Sequence, residues 1–179
     1  TDNDGDTDSA NLIIEIADDA PQRATATSLQ TDETTDLGVS VNGTIGVEVV
    51  ADGIASIEGT GNANLNGMTS NGQPVTIALV NGNYVASAGG QTVFTINFNT
   101  NGTFTFTQLA PIDHADTADH NDAFDFTFEF EVTDGDGDSI TDTGTIRILD
   151  DGPVAFNDAD NVDEGAVATG NVITGAGVI

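Results

Sequence analysis

The sequence predicts an all-β sandwich, and three observations carry that prediction. Apolar residues alternate with polar ones in short runs, Gly-containing turn dipeptides separate the runs, and no stretch holds four turns of helical periodicity. The clearest run sets Phe124, Phe126, Phe128, Phe130 and Val132 against Asp125, Thr127, Glu129, Glu131 and Thr133. A period of two places the phenylalanines on one buried face and the Thr, Asp and Glu side chains on the other.

In chain order, strands are predicted at about 11–17, 44–50, 54–58, 75–80, 83–87, 92–98, 103–109, 123–133 and 140–149. Ile14 and Ile16 flank Glu15 in the first. Asp52-Gly53 separates the second from the third. Asn71-Gly72 precedes the fourth, and Asn81-Gly82 sits between the fourth and fifth as a tight hairpin turn would. Phe94, Ile96 and Phe98, then Phe104 and Phe106, alternate with Thr and Asn around a second such turn, Asn101-Gly102. The long Phe run follows, and a loop opening with Asp134-Gly135 leads to Ile146 and Ile148, which alternate with Thr145, Arg147 and Leu149.

At 179 residues the chain has room for one full domain and a little more. Two arginines, Arg23 and Arg147, face 30 Asp plus Glu, for a formal charge of −28. That balance excludes a nucleic-acid partner or an anionic membrane surface, because nothing could neutralise phosphates. No apolar run reaches the roughly 18 residues of a membrane helix, so no direct membrane insertion is expected. Cysteine is absent, which excludes disulfides and thiolate metal sites. The chain opens on TDNDGDTD with no signal peptide, as a piece of something larger would. A hydrophobic content of 37%, in alternating runs, argues against disorder. The acids comprise 23 Asp and 7 Glu. Aspartate favours loops over regular elements, and carboxylates crowded into loops suggest a metal that the loops need.

The chain also repeats itself. Thr1-Asp2-Asn3-Asp4-Gly5-Asp6-Thr7 returns as Thr133-Asp134-Gly135-Asp136-Gly137-Asp138-Ser139, and Ile14-Glu15-Ile16-Ala17-Asp18-Asp19 returns as Ile146-Arg147-Ile148-Leu149-Asp150-Asp151, both at an offset of 132 residues. Asp32-Glu33 has a weaker echo at Asp163-Glu164. So long a period means beads on a string, each with its own core. The expected division is 1–19 as the last strand of a preceding repeat, 20–151 as a complete repeat, and 152–179 as linker and start of the next. Pro21 and Pro153 mark the linkers.

TDGDGDSITDTGTIRILDDGPV closely resembles the end of tandem repeats in giant RTX adhesins, bacterial surface proteins exported by type I secretion. VFTINFNTNGTFTFTQLAPIDH resembles the repeat class named for a length of roughly 143 residues, and FNDADNVDEGAVATGNVI the start of related VCBS or cadherin-like repeats. These segments cover about half the chain, at residues 92–170 and 1–21, and their combination is the specific signal. The resemblance implies an Ig-like or cadherin-like Greek-key β-sandwich in a tandem-repeat module, extracellular at the bacterial cell surface, that binds Ca²⁺ and extends the adhesin.

The acidic loops fit that expectation on their own chemistry. Asp134, Asp136 and Asp138 alternate along a loop, as do Asp2, Asp4, Asp6 and Asp8. Ca²⁺ takes about six to eight oxygen ligands at about 2.3–2.6 Å, so carboxylates must converge from several places. The loop is no EF-hand: the glycines are misplaced and the twelfth position is Thr145. It is no RTX β-roll either, lacking tandem nonapeptides. The alternative is a solvated acidic turn. Topology adds a constraint. If the strand number is odd, first and last strands run the same way, which brings the 134–138 loop to the linker carrying Asp18 and Asp19. A Ca²⁺ shared there would lock one repeat to the next. Asp150 and Asp151 would serve the following junction. Glu33, beside Asp32, would add a ligand, with Asp158, Asp160, Asp163 and Glu164 as its counterparts one repeat on.

His114 and His120 lie among Asp113, Asp116, Asp119 and Asp122. A Zn²⁺ or Cu²⁺ site is conceivable, and the plainer reading is a polar loop with at most another Ca²⁺. No catalytic constellation stands out. There is no nucleophile elbow, carboxylates are everywhere, and with no Trp and one Tyr the aromatic platforms for sugars are missing. The expected function is therefore a non-enzymatic, Ca²⁺-rigidified spacer, monomeric, whose partners are the adjacent repeats of its own chain. The alternative is an adhesive module that itself binds a glycan or protein. A third reading is a self-association module pairing through exposed strands.

Overall fold

The computed structural model describes residues 3–48, 51–116, 119, 121–152, 163–165 and 167. Among these residues twelve strands run in chain order: β1 (Arg23–Ala26), β2 (Leu29–Asp32), β3 (Ser40–Glu48), β4 (Ile54–Asn64), β5 (Thr69–Ser70), β6 (Gln73–Pro74), β7 (Thr76–Val80), β8 (Asn83–Ala88), β9 (Gln91–Asn99), β10 (Thr103–Gln108), β11 (Ala123–Asp134) and β12 (Ser139–Leu149). No helix occurs among the described residues. One sheet has the order β1-β3-β10-β9-β8-β7 and the other β2-β12-β11-β4, with β5-β6 as a separate hairpin. The first four strands of the larger sheet follow the A-B-E-D order of an immunoglobulin-like sandwich, and β4, β11 and β12 follow C-F-G. The predicted fold class is therefore the observed one.

The alternating phenylalanines hold the two sheets together. Phe94 of one sheet stacks on Phe126 of the other with centroids 4.9 Å apart, and Phe104 meets Phe128 at 5.4 Å. All four are essentially without solvent contact. Glycines admit this packing where a side chain could not. A Cβ on Gly144 would stand 2.2 Å from the Phe128 ring, and one on Gly43 2.3 Å from Phe104. The Asn81-Gly82 turn has φ of 51° and 74°, the doubly left-handed conformation of a tight two-residue hairpin.

Two differences from the sequence prediction matter. The strand expected at 11–17 is not formed. Leu12, Ile13, Ile14 and Ile16 stand largely in solvent, and no strand among the described residues pairs with this segment. In its place, β1 and β2 form one strand that changes sheets at Thr27-Ser28. β1 pairs antiparallel with β3 and β2 pairs parallel with β12. The parallel pair fixes the two poles of the domain. The β3–β4 turn, the β11–β12 loop and the start of β1 share the near pole. The ends of β2 and β12 and the start of β11 share the far pole. The next repeat expected at 152–179 lies, apart from Gly152, residues 163–165 and 167, outside the described residues.

Candidate functional site

At the near pole the segment before β1 meets two loops. Carboxylate oxygens of Asp18, Asp136 and Asp138 lie within 4.8 Å of one another, and so do those of Asp18, Asp19 and Asp52. Asp18 belongs to both groups, so it and four other carboxylates, from three separate stretches of chain, gather together. The buried Pro21 anchors the segment just before β1. Asp19 is tied down further, accepting a hydrogen bond from Ala51 N at 2.8 Å. The β3–β4 turn presses on the β11–β12 loop so closely that a Cβ on Gly135 would lie 2.7 Å from Asp52 O. Glycine at 135 thus lets the turn bring Asp52 to the cluster.

Asp134 plays a different part from its neighbours. It is 2% exposed, and its Oδ1 accepts hydrogen bonds from Gly137 N at 3.1 Å and Asp138 N at 2.8 Å. This carboxylate folds the loop and lies outside the two groups, while Asp136 and Asp138 stand exposed. Asp4 and Asp6 stand on the exposed segment before β1 and outside these groups. Asp2, Asp158, Asp160 and His120 lie outside the described residues. Neither arginine sits in the cluster: Arg23 faces Glu48 at 3.9 Å and Arg147 faces Asp125 at 3.7 Å, both in solvent.

Glu33 is not at this junction. β2 runs parallel to β12 and carries it to the far pole, where Glu33 N donates to Leu149 O at 3.0 Å. There Glu33, His114 and Asp150 bring ligand atoms within 4.8 Å of one another. Glu33 Oε1 accepts from Ile112 N at 2.9 Å and from Gln108 Nε2. Burial raises the Glu33 carboxyl above its ordinary value, against the lowering effect of those two bonds. Asp150 is held in place by its N–H, which donates to Asp122 O at 3.0 Å. Asp151 is exposed and outside the group.

Asp52 escaped the sequence reading except as a turn residue, since only the β3–β4 connection carries it to the near pole. The grouping of Glu33 with His114 and Asp150 likewise joins three unrelated stretches. The family described as Domain of unknown function (DUF5801) matches residues 25–147, which spans nearly all of the sandwich. No curated protein and no solved structure matches the chain.

Proposed function

We propose that this chain, which belongs to the DUF5801 family, is a Ca²⁺-binding spacer repeat of an extracellular bacterial adhesin of the RTX type. The observation that supports this most is the near-pole convergence of Asp18 with Asp136 and Asp138, and with Asp19 and Asp52. The donors are all oxygen, exposed or half-buried, and drawn from both the incoming segment and the domain proper. That set suits a hard cation of variable geometry better than a transition metal. An ion held there would tie the segment that enters the repeat to the β3–β4 turn and the β11–β12 loop, fixing the angle between successive repeats.

The charge supplies the reason for the dependence. At −28 the chain repels itself, and each ion offsets two charges while bridging loops that would splay apart. Binding then contributes to folding directly. A module loose in a Ca²⁺-poor compartment and rigid outside it suits export before folding, and a lack of cysteine suits a route with no oxidising step. The test is thermal unfolding in EDTA, then in millimolar Ca²⁺, with Mg²⁺ as control. A rise specific to Ca²⁺ is expected. Equal midpoints in EDTA and Ca²⁺ would make the aspartates a solvated surface and remove the support for the proposal.

A further inference from the structure

The geometry points to a second, chemically different metal site at the far pole: a Zn²⁺ ion bound by Glu33 Oε2, His114 Nε2 and a carboxylate oxygen of Asp150, with Asp122 orienting the imidazole from behind. This does not rest on the calcium reading, because it uses other residues at the opposite end of the domain.

Three observations carry it. The first is convergence: the ligand atoms of Glu33, His114 and Asp150 lie within 4.8 Å of one another although they come from β2's end, the β10–β11 connection and β12's end. The second is burial without satisfaction. Glu33 is 6% exposed and the His114 side chain 4%. Yet Glu33 Oε2 and both imidazole nitrogens are buried with no hydrogen-bond partner. Native interiors rarely leave such atoms unpaired, and a bound ion is one of the few things that explains several orphans in one place. The third is the support around them. Glu33 Oε1 is fixed by Ile112 N and Gln108 Nε2, which leaves Oε2 for another partner. Asp113 fastens the loop one residue before His114 by accepting from Asn71 N at 2.9 Å and Gly72 N at 2.8 Å. The Phe124 ring meets the His114 imidazole edge-on, with centroids 6.4 Å apart.

The donor set then selects the ion. His114 Nδ1 stands 3.0 Å from Asp122 Oδ1, close but out of line for a hydrogen bond, so a small ring rotation would complete it. A carboxylate behind one imidazole nitrogen fixes the tautomer and presents the other nitrogen to a metal. One neutral imidazole and two carboxylates balance a divalent charge and leave a fourth position for water, a composition Zn²⁺ accepts. Ca²⁺ and Mg²⁺ prefer oxygen throughout. Zinc bonds of about 2.0–2.1 Å set tetrahedral donors about 3.3 Å apart, so the ion would draw the three groups inward.

The experiment is a Zn²⁺ titration of the whole chain in excess Ca²⁺, read by competition with a chromogenic chelator and by the imidazole ¹⁵N resonances. The expected result is one tight equivalent, with the His114 Nε2 resonance displaced and its Nδ1 remaining protonated. His114→Gln should remove the tight equivalent, and Asp122→Asn should weaken it about 10–100-fold. His120→Gln should leave it intact. Zn²⁺ that binds as well to His114→Gln as to the parent would overturn the proposal, as would a tight site lost in His120→Gln alone. The parent's imidazole signals decide the matter if His114→Gln does not fold. Signals of His114 unmoved by Zn²⁺ would assign the orphaned atoms to a trapped water or a shared proton and overturn the site.

Discussion

Asp18→Ala tests the near-pole site in both of its states. Without an ion, Asp18 faces Asp136, Asp138, Asp19 and Asp52, each with an oxygen no farther than 4.8 Å. Two unit charges at that distance repel by about 0.9 kcal/mol in water, and 0.1 M salt reduces this to about 0.5 kcal/mol. Removing Asp18 relieves four such pairs, about 2 kcal/mol in all at that separation, less what the segment already sheds by swinging away. In EDTA the variant should therefore melt no lower than the parent and up to about 4–8 °C higher, at about 2–4 °C per kcal/mol for a chain of this size. With Ca²⁺ the balance shifts. An ion at about 100 times its Kd stabilises the parent by about 2.7 kcal/mol, a rise of about 5–11 °C, and the variant loses most of it. The assay is a pair of melting curves for each protein, with and without Ca²⁺. Equal Ca²⁺-induced rises in parent and variant would refute the site. A variant less stable than the parent in EDTA would refute the repulsion argument, because it would mean Asp18 makes a favourable contact of its own.

Three further outcomes test the frame that holds the poles. Gly144→Ala drives a Cβ to 2.2 Å from the buried Phe128 ring, and should cost about 1–3 kcal/mol in denaturant unfolding. Tyr84→Phe removes a phenol that lies 2.5 Å from Glu129 O and 2.8 Å from Asn62 O, beside the irregularity in the β4–β11 register. The groups left unpaired should lower stability by about 1–3 kcal/mol, with the loss concentrated in amide exchange along β4 and β11. Glu129 accepts from Asn62 Nδ2 at 2.8 Å and Thr60 Oγ1 at 2.7 Å, and these bonds lower its carboxyl below the ordinary 4.5. A carboxyl lowered in the folded state contributes stability above its unfolded value and loses it as pH falls through the folded one. Its side-chain ¹³C titration should accordingly have a midpoint under 4.5, and Thr60→Ala with Asn62→Ala should return it to that value.

The legible parts of this fold are those where local chemistry and tertiary structure agree. The β11 run can be read because every second residue from Phe126 to Val132 is buried, and the Asn81-Gly82 turn because its backbone needs φ above zero twice. β1 and β2 are illegible for the opposite reason. Each is four residues with a single fully buried side chain, Ala24 and Thr31, so their partners alone make them strands. β4 extends to Asn64, past a predicted end near residue 58, because Gly59 leaves room for the Tyr84 ring and β11 supplies the pairing. The acidic loop was legible as a feature, whereas the division of labour within it was not. Nothing in the spacing of Asp134, Asp136 and Asp138 says that the first turns inward to fold the loop and the others outward.

The internal repeat gives the two poles a common meaning. Asp150 stands 132 residues after Asp18, in the same position of the repeated pattern. In this domain Asp18 reaches forward to the β11–β12 loop, while Asp150 stays against Glu33 and His114 at the end of the sandwich it has just left. A residue in this position is therefore presented with two donor sets, oxygen-only ahead of it and imidazole-containing behind it. In a tandem array both sets would act at every junction, and the junction would be stiff only when the aspartate pair serves both. By the same pattern Asp150, the counterpart of Asp18, would serve both sets, and Asp151, the counterpart of Asp19, only the set ahead of it. In a two-repeat chain, Asp150→Ala should then loosen the domains on both sides of the junction and Asp151→Ala only the one that follows. Small-angle scattering with Ca²⁺ and Zn²⁺ added singly would read the two effects separately. Identical profiles for the two variants under each ion would show that the pair does not divide the work.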